Sequence, residues 1–149
     1  MNFEAIELWH KRARPEPTEA DFSVQLGCHF EEIAEMLDTI EFHVVGFDAT
    51  PGGITIVAES AKALAEGLKN GAIKAVMTDR KGFVDSVADQ VVTGIGTAHC
   101  ANMKPALAIE RVNTSNWSKF DADGNPLRDA NGKIKKGDNY VPPDLEGCY

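Results

Sequence analysis

Five carboxylates set on apolar stretches are the residues of this chain with the most evident capacity for chemistry. Glu31, Glu32 and Glu35 lie in His29-Phe30-Glu31-Glu32-Ile33-Ala34-Glu35-Met36-Leu37. Asp85 and Asp89 lie in Phe83-Val84-Asp85-Ser86-Val87-Ala88-Asp89-Gln90-Val91-Val92. On a helix, residues four apart share a face, so Glu31 stands with Glu35 and Asp85 with Asp89. Like charges at that spacing repel, and burying them unpaired is costly. A positive counter-charge is therefore expected among them. A hard divalent cation with oxygen ligands is the simplest choice, Mg²⁺ first and Mn²⁺ as a substitute. The plain alternative is a set of acids solvating exposed helix faces. Against it stand the apolar neighbours of both groups and the scarcity of other charges between Val84 and His99.

The elements that must position these acids read as helices. Phe3 to Arg14 fits a short amphipathic helix, interrupted by Pro15 and Pro17. Thr18 ahead of Glu19 and Asp21 marks the start of a second, expected from Glu19 to about Val45 with Gly46 as a stop. Its apolar positions Phe22, Leu26, Phe30, Ile33, Leu37 and Ile40 follow the helical repeat. Thr50-Pro51-Gly52-Gly53 reads as a break. A third helix is expected from about Ile54 to Lys69, closed by Asn70-Gly71. Thr78 or Asp79 caps a fourth, which carries Asp85 and Asp89 and runs to about Ala101. Gly94 and Gly96 inside it cost roughly 1 kcal/mol each relative to Ala, so close packing against another helix is expected there. Pro105 suits the first turn of a fifth helix ending near Asn113.

Beyond Trp117 the chain is rich in turns. Asn131-Gly132 signals a two-residue hairpin between Leu127-Arg128 and Lys133-Ile134. Trp117, Phe120, Ile134 and Tyr140 should hold this tail against the helices. The fold class expected is all-α: a four- to five-helix bundle in a single domain over 1–149, with an irregular C-terminal tail from 117 containing a short hairpin.

The 149 residues carry 43% hydrophobic and 26% charged side chains and a net charge of -8. That charge argues against nucleic acid or an anionic membrane as partner. No apolar run is long enough to span a bilayer, and the N-terminus lacks an apolar signal core, so a cytoplasmic location is expected. Cys28, Cys100 and Cys148 form no CxxC pair. Reduced, buried thiols are expected at Cys28 and Cys100, and an exposed one at Cys148. Short helices have too little shared interior for Ile56, Val57, Leu64 and Leu68 together, so a homodimer or dimer of dimers is expected. Glu7-x-x-His10 is a lone ExxH, where a di-iron bundle needs two. Asp121-x-Asp123-x-Asn125 fails as a calcium loop, with Pro126 where that loop needs Gly. His29, beside the acidic cluster, is expected as a packed helix histidine.

Taken together, Glu31-Glu32-x-x-Glu35 followed by Asp85-x-x-x-Asp89 resembles the all-α nucleoside triphosphate pyrophosphohydrolases. These are the MazG-like and phosphoribosyl-ATP pyrophosphohydrolase-like proteins, related to dimeric dUTPases. Ser115-Asn116-Trp117-Ser118-Lys119-Phe120 resembles the SNxSK segment of one branch. Asp123-Gly124-Asn125-Pro126, Lys136-Gly137-Asp138-Asn139-Tyr140 and Pro142-Pro143-Asp144-Leu145 follow in that branch's order. The resemblance runs roughly from Phe22 to Leu145. It implies a helical bundle that binds Mg²⁺ and cleaves a nucleotide between its α and β phosphates. Glu31, Glu32, Glu35 and Asp89 match the family's metal positions. Ser86 stands where many members have Glu, and Asp85 is the natural replacement. Arg111 stands where a Glu is expected.

Under that implication Glu31 and Glu32 are the catalytic carboxylates, with Glu32 the candidate for accepting a proton from the attacking water. Lys119 and Lys136 would contact phosphates. Asn116 would hydrogen-bond sugar, phosphate or base, Asn139 would add to the substrate contacts, and Tyr140 or Trp117 would stack on the base. The rival readings are a non-catalytic helical module that binds a nucleotide or partner, and a structural oligomer with solvated acids.

Overall fold

Helix formation follows the punctuation of the sequence closely enough that the ends explain the elements. The computed structural model describes the backbone of residues 3–38 and 51–149 and the side chains of 4–34 and 56–149. Helix α1, Phe3–Ala13, buries Trp9 and Ala13 and stops before Pro15. Helix α2, Glu19–Asp38, opens on a reciprocal capping box. The Thr18 hydroxyl accepts from the Asp21 backbone N–H (3.2 Å), and the Asp21 carboxylate accepts from the Thr18 N–H (3.0 Å). The expected continuation to Val45 and the stop at Gly46 lie outside the described residues.

Helix α3, Pro51–Lys69, begins earlier than expected. Pro51 opens the helix instead of breaking it, because the first helical position needs no N–H donor. Its end at Asn70-Gly71 is as expected, with Gly71 at φ 81°. Helix α4, Arg80–Cys100, is capped by Asp79, whose side chain accepts from the N–H groups of Lys81 (3.1 Å) and Gly82 (3.0 Å). Helix α5, Pro105–Trp117, runs four residues past the expected end. No Gly or Pro interrupts Thr114-Ser115-Asn116, and buried Ser115 ties its last turn to the tail. Among the described residues the regular structure is these five helices, with two isolated bridges and no longer strand.

The chain divides into two compact units, one of 1–16, 77–129 and 134–149, the other of 17–76 and 130–133. In the second, α2 and α3 pack along each other over Val24, Ala34, Ala65 and Leu68. Gly27 makes that approach possible: a Cβ there would lie 2.9 Å from the Ala65 carbonyl oxygen. In the first unit, α5 contacts both α1 and α4. Trp9, Ala13 and Phe120 form its small core, with Ile134 against them. Trp9 and Phe120 meet edge to face at 5.7 Å, and the indole N–H of Trp9 donates to the Asn116 carbonyl (2.8 Å).

The tail forms the expected hairpin with a longer connection. Arg128 pairs with Ile134, and the Lys135 N–H donates to the Leu127 carbonyl (2.9 Å), leaving 129–133 as the loop. Five other expectations are corrected. Gly94 and Gly96 face open space, with nothing within 4 Å of an added Cβ, and α4 buries none of its residues. Cys148 is buried, because backbone bonds to Lys104 and Leu145 hold the chain end in, while Cys100 is exposed on the last turn of α4. Cys28 is half-buried. His29 is exposed beside Phe30 rather than packed, since α2 turns its opposite face to α3. Among the described residues, no helix is long and apolar enough to cross a membrane.

Candidate functional site

The expected site residues are distributed over both units. Glu31, Glu32 and Glu35 stand on α2 in one, Asp85 and Asp89 on α4 in the other. Successive helical positions differ by about 100°, so Glu31 and Glu32 leave the helix in different directions. Glu31 is half-buried and Glu32 exposed. The side chain of Glu35 lies outside the described residues.

Glu31 has found its positive charge within its own unit. The ammonium of Lys69, the last residue of α3, donates to Oε1. That of Lys133, in the hairpin loop, donates to Oε2 at 2.7 Å. Partial burial pushes the Glu31 carboxyl upward, but the hydrogen bonds and charges of Lys133 and Lys69 outweigh it and hold the group below the usual carboxylate range. Glu31 is thus a fixed anion joining α2, α3 and the loop. Neither lysine was singled out from sequence. They lie 38 and 102 residues from Glu31, and no local pattern links them.

Glu32, Asp85 and Asp89 are exposed, and no described residue donates to their carboxylates. Asp85 and Asp89 stand one turn apart on α4, as the spacing requires. In kind, these oxygen donors suit a hard divalent cation. Among the described residues, no three His, Cys, Asp or Glu side chains are gathered into one cluster.

The tail residues fall into contacts of their own. Lys136 places its ammonium over the Tyr140 ring, 4.7 Å from the centroid. Lys119 lies 6.0 Å from the centroid of the Trp9 ring. Asn116 is half-buried and offers its carbonyl to Trp9, while Asn139 is exposed. Trp117 is part-exposed and leans on Phe120, with ring centroids 5.4 Å apart.

The serines of the SNxSK segment do work that sequence reading did not assign. Ser115 donates to the Val141 carbonyl (2.6 Å), and the Val141 N–H donates to Ser118 (2.7 Å). Together they dock the segment leading into Pro142-Pro143. Arg111 has an equally direct role: its guanidinium donates to the carbonyls of Asp144 (2.7 Å) and Glu146 (2.6 Å). A glutamate there would repel those oxygens, so the arginine at this position is a tail anchor. The acidic loop is closed on itself. Asp121 accepts from the N–H groups of Asp123 (3.0 Å) and Asn125 (2.8 Å), and Gly124 takes a positive φ of 75°. These bonds, that from Asn125 foremost, lower the Asp121 carboxyl below its usual range.

Compared with protein-family models, with curated proteins and with solved structures, the chain finds no match.

Proposed function

We propose that this chain is a Mg²⁺-dependent nucleotide pyrophosphohydrolase. It would cleave a nucleoside or deoxynucleoside triphosphate between the α and β phosphates, releasing a nucleoside monophosphate and pyrophosphate. The observation that carries the reading is the pair of acidic motifs on helices, with Glu32, Asp85 and Asp89 exposed and engaged by no described side chain. The order of the tail motifs, like that of the pyrophosphohydrolases resembled, supports it. The same resemblance, with Ile56 and Val57 left exposed on α3, supports a homodimer or dimer of dimers.

In this reading Glu31, Glu32, Glu35, Asp85 and Asp89 would hold the metal, Glu31 only on release of Lys69 and Lys133. Mg²⁺ bound there would neutralise the phosphate oxygens and lower the pKa of a water beside it. Glu32 accepts the proton as the water oxygen attacks one phosphorus of the α–β anhydride. The bridging P–O bond breaks and its electron pair leaves with the phosphate released. Lys119 and Lys136 bind phosphate oxygens, and Asn116, Asn139 and Tyr140 hold the nucleoside. Arg111, Ser115 and Ser118 keep the tail on α5 while they do so.

A second reading has its own observation. Both oxygens of Glu31 are already occupied by ammonium groups, which suits a module that binds without turnover. Incubation with a panel of NTPs and dNTPs, in Mg²⁺, Mn²⁺ or EDTA, followed by chromatography of products, decides between them. The hydrolase reading expects monophosphate plus pyrophosphate, loss in EDTA, and a fall of at least about 100-fold in Glu32→Gln and Asp89→Asn. A folded protein that turns over no nucleotide in Mg²⁺ or Mn²⁺ selects the binding module.

A further inference from the structure

Two ammonium groups share one carboxylate in the unit built on α2 and α3. Lys69 donates to Glu31 Oε1, and Lys133 donates to Oε2 at 2.7 Å. All three residues belong to that unit. Glu31 comes from α2, Lys69 from the last position of α3, and Lys133 from the hairpin loop. The three charges sum to +1, so the carboxylate balances only one of the two ammonium groups. Side-chain exposures of 29% at Glu31, 20% at Lys69 and 37% at Lys133 leave every member within reach of a solute.

Charge and geometry say what such a pair would grip besides Glu31. A carboxylate offers two oxygens and a single negative charge. A phosphate monoester offers three acceptor oxygens and a charge of about −1.5 to −2 at neutral pH, and pyrophosphate carries more. Hydrogen bonds between ammonium and phosphate oxygens are charge-assisted, and lysine serves there as a point charge on a flexible stem. Two ammonium groups already converging on the oxygens of one anion thus match a phosphate better in charge than the carboxylate they hold.

We propose that Lys69 and Lys133 form a phosphate-binding pair for which Glu31 is the internal stand-in. An incoming phosphate accepts the N–H bonds that Glu31 now accepts, and the displaced carboxylate turns away from the two lysines. The same exchange supplies the release that Glu31 needs before it can join a metal site. Anion binding at the lysines and cation binding at Glu31 thereby favour one another. That the phosphate belongs to a nucleotide rests on the hydrolase reading; that the pair takes a phosphate rests on the two lysines and the one carboxylate between them.

Calorimetric titration of the full chain with sodium pyrophosphate, without divalent cations, tests it. Glu31→Gln is expected to bind pyrophosphate about tenfold more tightly than the unaltered chain, because the competing charge is gone. Adding Lys69→Gln or Lys133→Gln to that variant is expected to abolish the gain, and each alone to weaken the unaltered chain about tenfold. Lys62→Gln removes the same charge from an exposed position on α3 and is expected to change nothing. Acetate, which only equals Glu31 in charge, is expected to bind each variant far more weakly than pyrophosphate. Equal affinities in Glu31→Gln and the unaltered chain overturn the proposal and leave the cluster a brace of the fold. Should Glu31→Gln fail to fold, the two single lysine variants decide, and unchanged affinity in both overturns it. A loss in Lys62→Gln as large as theirs marks diffuse attraction and overturns it too. Turnover is not needed for any of these titrations. Nucleotide products without the gain in Glu31→Gln would sink the pair and spare the hydrolase, and the gain without products would do the reverse.

Discussion

Glu31 couples its charge to folding, because its two partners come from chain segments brought to it only by the fold. Its carboxyl is depressed in the folded state, so the stabilisation is fully present above the unfolded carboxylate pKa and is lost as pH falls through the lower folded value. Thermal melts across the acid range should therefore show Tm falling with pH, and Glu31→Gln should show a shallower fall. Near neutral pH the Gln variant should be less stable by about 1–2 kcal/mol in urea titrations, since the pair is only partly buried and screened by solvent. Equal slopes for the two proteins would remove Glu31 from this role. The sequence showed that this acid needed a positive charge. It did not show that lysines would provide it, because a hairpin loop 102 residues away carries no mark of where it will rest. Arg111 teaches the same lesson: its carbonyl partners are backbone atoms, which no side-chain motif encodes.

Helices were legible wherever their ends are written in local chemistry, as at Thr18, Asp79, Pro105 and Asn70-Gly71. Glycines were not, since the same residue serves opposite ends according to what lies beyond its Cα. Gly27 sits against the α3 backbone, where an added methyl meets the Ala65 carbonyl oxygen at 2.9 Å and Leu68 Cβ at 3.0 Å. Gly27→Ala is therefore expected to destabilise by about 1–3 kcal/mol through overpacking. Gly94 has nothing within 4 Å of its added Cβ, so Gly94→Ala should stabilise by about 0.5–1 kcal/mol through helix propensity alone. Urea titrations of the two variants should shift in opposite directions, and shifts of one sign would contradict the packing described. The Asp79 cap belongs to the same scale. Asp79→Ala should cost about 1 kcal/mol, seen first as faster amide exchange in the opening turn of α4.

At the scale of the molecule, what the helices leave uncovered bears on assembly. The sequence set Ile56, Val57, Leu64 and Leu68 together as too many apolar residues for one small interior. The fold sorts them: Leu68 is buried against α2, while Ile56 and Val57 stay 60% and 57% exposed on α3. Adjacent apolar residues left in water on a helix are a surface that a second chain could cover. Their burial removes apolar area from water at roughly 25 cal/mol per Å². Light scattering at micromolar concentration is expected to give the mass of two or four chains. Ile56→Lys with Val57→Lys should shift that mass towards one chain while helical circular dichroism persists, because neither side chain is part of the buried core. A single-chain mass for the unaltered protein would end the oligomer proposal and leave catalysis, if observed, to the residues of one chain.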